Sequence, residues 1–162
     1  MTISRDKSYA ALAELKPAPV FLQSYQSKRL PEDFDIYFGP PEELFLAPAT
    51  DEEYPWGDRI PILDDGNFGL LLFVDPKTKK LIRIDIESPD EIHDEFENWQ
   101  QYLADLMIRI GEGIDDDNRA RRAAEVMGFA HVDELFDFFS RTQSMSVSAY
   151  ESAKRHFLAN IH

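Results

Sequence analysis

The sequence predicts an α+β fold: a small antiparallel or mixed sheet flanked by helices, with an all-helical C-terminal extension. Two apolar runs, 70–74 and 81–86, are separated by a short polar turn, which is typical of a β-hairpin. A stripe of apolar residues follows at helical spacing. Its members are Phe96, Trp99, Leu103, Leu106 and Ile110. After Gly113 the pattern stays helical, so we expect an α+β core over 1–113 and a helical extension over 114–162, packed together as one structural domain.

The region before residue 60 is rich in proline, which interrupts periodic structure. A first helix is predicted over 5–16, and a second, short one starts near Pro31. Residues 44–47 are predicted to form a short edge strand, because Pro48 follows them. Residues 50–58 form a polar, acidic loop.

The central hairpin has clear turn signals. Residues 60–63 are predicted to form a strand, and Asp65-Gly66 supplies the turn after it, because glycine tolerates positive φ. The run 70–74 is apolar throughout, which indicates a strand covered on both faces. Residues 75–79 form the next loop, and the alternation over 81–86 indicates a half-exposed strand. With the earlier segments, these strands predict a sheet of three to five strands.

Acidic residues precede the long helix and are predicted to lie in its first turn, where the helix dipole favours them. They are Asp94, Glu95 and Glu97, next to His93. The helix is expected to pack its apolar stripe on the sheet and to end at Gly111 and Gly113.

The extension is predicted to contain three helices. The first covers about 119–127, after the capping aspartates 115–117, and ends at Gly128. The second covers 133–141, and Ser146 caps the third. The arginines of the first helix are expected to pair with the aspartates 115–117 and with nearby glutamates; they are Arg119, Arg121 and Arg122. So small a segment must pack against the core, against itself or against a second subunit.

The chain of 162 residues carries 31 acidic and 17 basic residues, a net charge of −14. Such a charge repels nucleic acid and anionic membranes. It serves solubility, or it attracts a basic protein partner. Cysteine is absent, which excludes disulfides and a thiolate nucleophile. The first residues lack the apolar segment of a secretory signal, and no apolar run is long enough to cross a bilayer, so we expect a cytoplasmic protein.

Patterns for catalysis or cofactors are missing from the sequence. The two aspartate-rich segments, 64–67 and 115–118, lack the ligand spacing of calcium loops, and we interpret them as a turn and a helix cap. The glycines 66 and 69 lack the lysine ending of a phosphate loop, and there is no nucleophile elbow. We therefore expect a non-enzymatic protein with no metal and no cofactor.

The acidic loop is the predicted partner-binding segment, because aromatic anchors surrounded by charge concentrate affinity at protein interfaces. The predicted contact residues are Asp51, Glu52, Glu53, Tyr54, Trp56 and Asp58, with Asp64 and Asp65 at the next turn. For Trp56 two interpretations stay open: an exposed anchor, or a side chain folded back over the core.

Five segments resemble the SUKH superfamily of Smi/Knr-like proteins. They are Leu30-Pro31-Glu32-Asp33-Phe34, Pro41-Glu42-Glu43-Leu44, residues 60–69 with Asp64-Asp65-Gly66-Asn67-Phe68-Gly69, residues 71–75, and the helix start at 96–103. The likeness spans roughly 30–110. The Phe38-Gly39-Pro40-Pro41 loop and the helical tail depart from the family pattern.

The resemblance implies an α+β fold and a role as an immunity protein that binds and neutralises a bacterial polymorphic toxin, with no catalytic residues. A basic toxin domain, such as a nuclease, would suit the charge of this chain. An alternative is a secretion chaperone or adaptor that holds a segment of a secreted partner. A dimer through the extension favours the adaptor, and a monomer favours the immunity protein. A hydrolase of unknown type is a third option.

Overall fold

Four antiparallel strands in the order β1-β2-β3-β4 form the sheet of this chain, as seen in a computed structural model that describes residues 3–26, 29–46 and 55–162. The strands are β1 (Ile60–Asp64), β2 (Leu70–Val74), β3 (Leu81–Asp85) and β4 (Asp94–Phe96). With the helices on either side in sequence, they confirm the α+β class. The chain divides into a sheet unit, Met1–Glu97, and a helical unit, Asn98–His162. The long helix falls in the helical unit, whereas the sequence analysis grouped it with the sheet.

The β1–β2 and β2–β3 hairpins follow the predicted pattern. Gly66 has a φ of +82° in the first turn, as its position predicted. In the second turn Asp75 accepts hydrogen bonds from the amides of Lys77 and Thr78 at 2.8 and 3.1 Å. Four of the five residues of β2 are buried, which confirms a strand covered on both faces.

The fourth strand corrects the prediction that residues 93–97 begin the long helix. Asp94 pairs with Arg83 across the β3–β4 ladder, and Arg83 donates to its Oδ2 from Nε at 2.9 Å. Lys80 contacts Glu95 and Glu97 at 2.6 and 2.7 Å. These acids therefore serve as cross-strand partners of basic residues, not as dipole partners of a helix.

Short helices precede the sheet. They are α1 (Arg5–Glu14), α2 (Pro19–Ser24), a 3₁₀ helix (Pro31–Ile36) and α3 (Glu43–Leu46). Helix α2 was not predicted, because Pro19 was interpreted as a stop signal although proline also fits the first helical position. The strand predicted over 44–47 is wrong, since 44–46 are helical and no ladder pairs with them; residue 47 lies outside the described residues. The Tyr25 hydroxyl ties the end of α2 to β1 by donating to the Ile62 carbonyl at 2.6 Å.

The helical unit contains α4 (Trp99–Glu112), α5 (Asp117–Met127), α6 (Val132–Thr142) and α7 (Val147–Ala159). Asp116, Gly128 and Ser146 cap these helices as predicted. Gly111 does not end α4: a Cβ there would lie 2.5 Å from the Phe139 ring, so glycine lets α6 approach closely. Arg121 pairs at 3.1 Å with Asp133 rather than with the aspartates before its helix. In the described part of the chain, no helix has the length and apolarity that crossing a membrane would require.

Candidate functional site

The predicted contact residues divide between two ends of one strand. Trp56 and Asp58 precede β1, whereas Asp64 is its last residue and Asp65 follows it, so the two pairs lie at opposite ends of a five-residue strand roughly 16 Å long. The structure does not gather them into one patch. Residues Asp51, Glu52, Glu53 and Tyr54 lie outside the described residues.

Trp56 is a core side chain, which favours the second of its two interpretations, a side chain folded back over the core. It is only 8% exposed, and its ring centroid lies 5.2 Å from that of Phe73. Leu71, Ile82 and Ile84 belong to the same buried cluster. Burying so large an apolar surface is worth more than leaving it in water, so the loop folds the indole over the sheet.

The surface beside Trp56, which we call the Trp56 end, has balanced charges. A shallow groove of about 280 Å³ lies between residues 55–59 and 75–77. Its walls carry Asp58 and Asp75 against Arg59 and Lys77, and Asp58 contacts Lys77 at 3.1 Å. Among the described residues of this end, two acidic and two basic side chains leave little net field, so these residues alone offer no strong attraction for a basic partner.

At the opposite end of β1, two aspartates are held by amides of their own turn. Asp64 Oδ1 accepts from the amide of Gly66 at 2.6 Å. Asp65 Oδ1 accepts from the amides of Asn67 and Gly69 at 3.2 and 3.0 Å. This confirms the predicted turn, and it fixes both carboxylates without neutralising their charge.

The 3₁₀ helix packs directly on that turn and adds two further groups. A Cβ at Gly66 would lie 2.7 Å from the carbonyl of Ile36, so the two backbones are in close contact. The carboxylate of Asp35 accepts from the Leu30 amide at 3.2 Å, and the Ile36 side chain is 60% exposed. An apolar side chain therefore lies in water next to fixed carboxylates.

A fourth carboxylate lies at the same end of the sheet, on β3. Asp85 is paired across the ladder with Leu70, whose carbonyl accepts from the Asp65 amide at 3.0 Å. Its own Oδ1 accepts from the Glu87 amide at 2.9 Å. We call this surface the acidic end. It consists of Asp35, Ile36, Asp64, Asp65 and Asp85.

None of the four carboxylates of the acidic end forms an ion pair within the part of the chain that the structure describes. By contrast, Asp94 is paired with Arg83, Glu95 with Lys80, and Glu42 with Arg5. The negative charge of the acidic end is thus available to a partner.

Burial raises the pKa of Asp64 to about 6, and its neighbours modify the shift. The Gly66 amide lowers it, while the charges of Asp65 and Glu42 raise it. We therefore expect the charge of Asp64 to change near neutral pH.

Sequence reasoning missed Asp35, Ile36 and Asp85. The only local signal was an isoleucine next to acidic residues in 32–36, and nothing in the sequence indicated that this segment packs on the Gly66 turn. Among the described residues, no three His, Asp or Glu side chains converge as a metal site. No protein-family model, curated protein or solved structure matches the chain. The SUKH resemblance thus stays a prediction.

Proposed function

We propose that this chain is a non-catalytic immunity protein that binds a basic bacterial toxin domain in the cytoplasm through its acidic end. The observation that carries the proposal is the exposed Ile36 beside four carboxylates that are held by backbone amides and free of ion pairs among the described residues. The immunity role itself rests on the SUKH resemblance of residues 30–110.

The geometry supports binding for two reasons. Carboxylates already fixed by amides lose little side-chain freedom when a partner binds, so their Coulomb attraction is not offset by ordering. An apolar residue at the centre of a polar rim is the usual anatomy of an interface hot spot. A basic nuclease domain would provide the complementary charge, which accelerates its approach.

A protection assay tests the role. The assay uses the C-terminal domain of any secreted toxin that is encoded beside this gene, produced in cells with or without the protein. We expect the protein to restore growth. A neighbouring region without a secreted toxin, or a toxin domain that kills equally in both cases, would overturn the immunity proposal.

Matched variants test the surface. D65N/D85N removes two charges from the acidic end and D58N/D75N removes two from the Trp56 end, so both variants have the same net charge. Asparagine can still accept the amide hydrogen bonds. At low salt we expect D65N/D85N to reduce the association rate about tenfold and D58N/D75N less than twofold. Equal effects would refute the surface assignment and leave the protection result standing.

Ile36 gives an independent test of the same surface. Because the side chain is exposed, Ile36→Ser should leave folding unchanged and increase the dissociation rate about tenfold. Circular dichroism checks the fold, and surface plasmon resonance measures the rates. A variant with unchanged dissociation would remove Ile36 from the interface.

A further inference from the structure

Helices α6 and α7 form an open apolar groove that the proposed function does not use. Its floor is the pair Phe138 and Phe157, whose rings stack with centroids 4.9 Å apart. The first part of the groove encloses about 430 Å³. Thr142, Met145, Ala149 and Ala153 complete its walls.

A second cavity of about 320 Å³ continues the groove toward the end of α7. The two cavities share Arg141, His156 and Phe157. From Ala149 to Asn160 the groove follows α7 for about 17 Å, which is three helical turns. A channel that is long and open along its length suits a helix better than a small molecule, which a pocket normally encloses.

The side of α7 that faces the groove permits close helix packing. Ala149, Ser152, Ala153 and His156 are spaced three, one and three residues apart, so they share one face. Three of them are small, which lets a neighbouring helix approach. Of all the residues of α7, only Phe157 is fully buried.

The charges along the groove select the occupant. In the first part, the charged lining consists of Arg141, next to His156. Arg141 donates from Nε to the Asp137 carbonyl at 3.3 Å, and its two terminal nitrogens have no partner among the described residues. The second part adds Glu134 and Asp137. A complementary helix carries a carboxylate opposite Arg141 and a basic residue near Glu134.

A second copy of this chain fits less well. A two-fold dimer through this face brings the same patch of both copies together, so each groove would lie opposite another groove and no helix would fill either. We infer that the α6–α7 groove binds an amphipathic helical segment of a partner protein, about three turns long, with a carboxylate in the middle of its apolar stripe.

Two synthetic probes test this inference on the full chain. Both are 14-residue helical peptides with leucines at positions 3, 6, 10 and 13; one carries glutamate at position 7 and the other lysine. We expect fluorescence anisotropy to show at least tenfold tighter binding of the glutamate peptide. Equal affinities, or no binding of either peptide, would overturn the inference.

Reversing the charge of Arg141 provides the decisive experiment. Arg141→Glu should invert the preference to the lysine peptide, which a merely structural role of Arg141 would not do. Arg155→Glu is the matched control, because Arg155 is an arginine of α7 that lies outside both cavity linings, and this variant should keep the original preference. An equal response of the two variants would place the peptides elsewhere and refute the groove.

Native mass spectrometry addresses the competing occupant. The protein should be monomeric at micromolar concentration, and Ala149→Arg, at an exposed groove position, should abolish peptide binding while circular dichroism stays unchanged. A dimer that Ala149→Arg dissociates would show that a second copy fills the groove, and the inference would be wrong.

Discussion

Both ends of strand β1 carry aspartates, but different groups contact the carboxylates at each end. At the Trp56 end, Asp58 contacts Lys77, and Trp56 is buried. At the acidic end, Asp64 and Asp65 accept hydrogen bonds from backbone amides, and Ile36 is exposed. A backbone amide orients a carboxylate without adding an opposite charge, whereas a lysine places a compensating positive charge beside it. The local field therefore depends on which donor holds each acid, more than on the number of acids.

The two ends also differ in the space around their turn glycines. Gly57 and Gly66 both have positive φ, at 63° and 82°. A Cβ at Gly57 would meet no atom of residues 3–26, 29–46 or 55–162 within 4 Å, whereas a Cβ at Gly66 would lie 2.7 Å from the Ile36 backbone. One end is thus a loosely packed turn above a buried indole, and the other is a tight contact between two backbones.

The largest effect is expected from removing the indole at the Trp56 end. Trp56→Ala leaves a cavity next to Phe73 and Leu71, so it should lower the free energy of unfolding by about 3–5 kcal/mol. Urea unfolding followed by circular dichroism measures it. Trp56→Phe is the control, with a smaller loss. If Trp56→Ala cost less than about 1 kcal/mol, the indole would not be part of the core.

The glycine pair gives the next largest effect. Gly66→Ala combines an unfavourable φ with a clash against the Ile36 carbonyl and should cost about 2–4 kcal/mol. Gly57→Ala has the φ strain without the clash and should cost about 1 kcal/mol. Thermal and urea unfolding compare the two variants directly. Equal losses would mean that the 3₁₀ helix does not press on the Gly66 turn.

Much of this comparison could be predicted from the sequence, because its signals are local. Asp65-Gly66 predicted the turn, and the apolar run over 70–74 predicted a strand buried on both faces. The position of Trp56 had two interpretations, since a loop aromatic flanked by acids is compatible with burial and with exposure. Only the packing of the loop on the sheet decides between them.

The parts that could not be predicted depend on partners far apart in the chain. Asp35 reaches the acidic end because its helix contacts Gly66, some thirty residues later, and no periodicity records such a contact. Asp94 and Glu95 precede an amphipathic helix, so they resembled a first helical turn. Arg83 on the neighbouring strand β3, and Lys80 just before that strand, pair with them in β4 instead.

The stability contributed by Asp64 at the acidic end and by Asp75 at the Trp56 end should depend on pH in opposite directions. The pKa of Asp64 is raised to about 6 by burial, so the folded state retains a proton that the unfolded state loses. The free energy of unfolding contributed by protonated Asp64 is therefore lost as pH rises from about 4 to 6. We expect the loss to be about 1 kcal/mol, because solvent screens this half-exposed group. Asp64→Asn should flatten that slope in urea unfolding and be the more stable protein at pH 7.

Asp75 at the Trp56 end has the opposite sign. The amides of Thr78 and Lys77 hold the pKa of its carboxyl below its usual range. The stability contributed by ionised Asp75 is present above about pH 4 and is lost as pH falls further. Asp75→Asn should therefore reduce the decrease in the free energy of unfolding at acidic pH. If Asp64→Asn and Asp75→Asn changed the pH dependence of stability in the same pH range, burial and amide donation would not act in opposite directions at the two ends.

The smallest effect is expected for the ion pair that distinguishes the Trp56 end. Asp58 and Lys77 are both largely exposed, with side chains 74% and 78% accessible, so water screens their attraction. A double-mutant cycle with Asp58→Asn and Lys77→Gln should give a coupling free energy of about 0.5 kcal/mol or less, decreasing further with salt. A coupling above about 1.5 kcal/mol would show a rigid, desolvated pair. The Trp56 end would then be as organised as the acidic end, and rigidity would no longer distinguish the surface we assign to the partner.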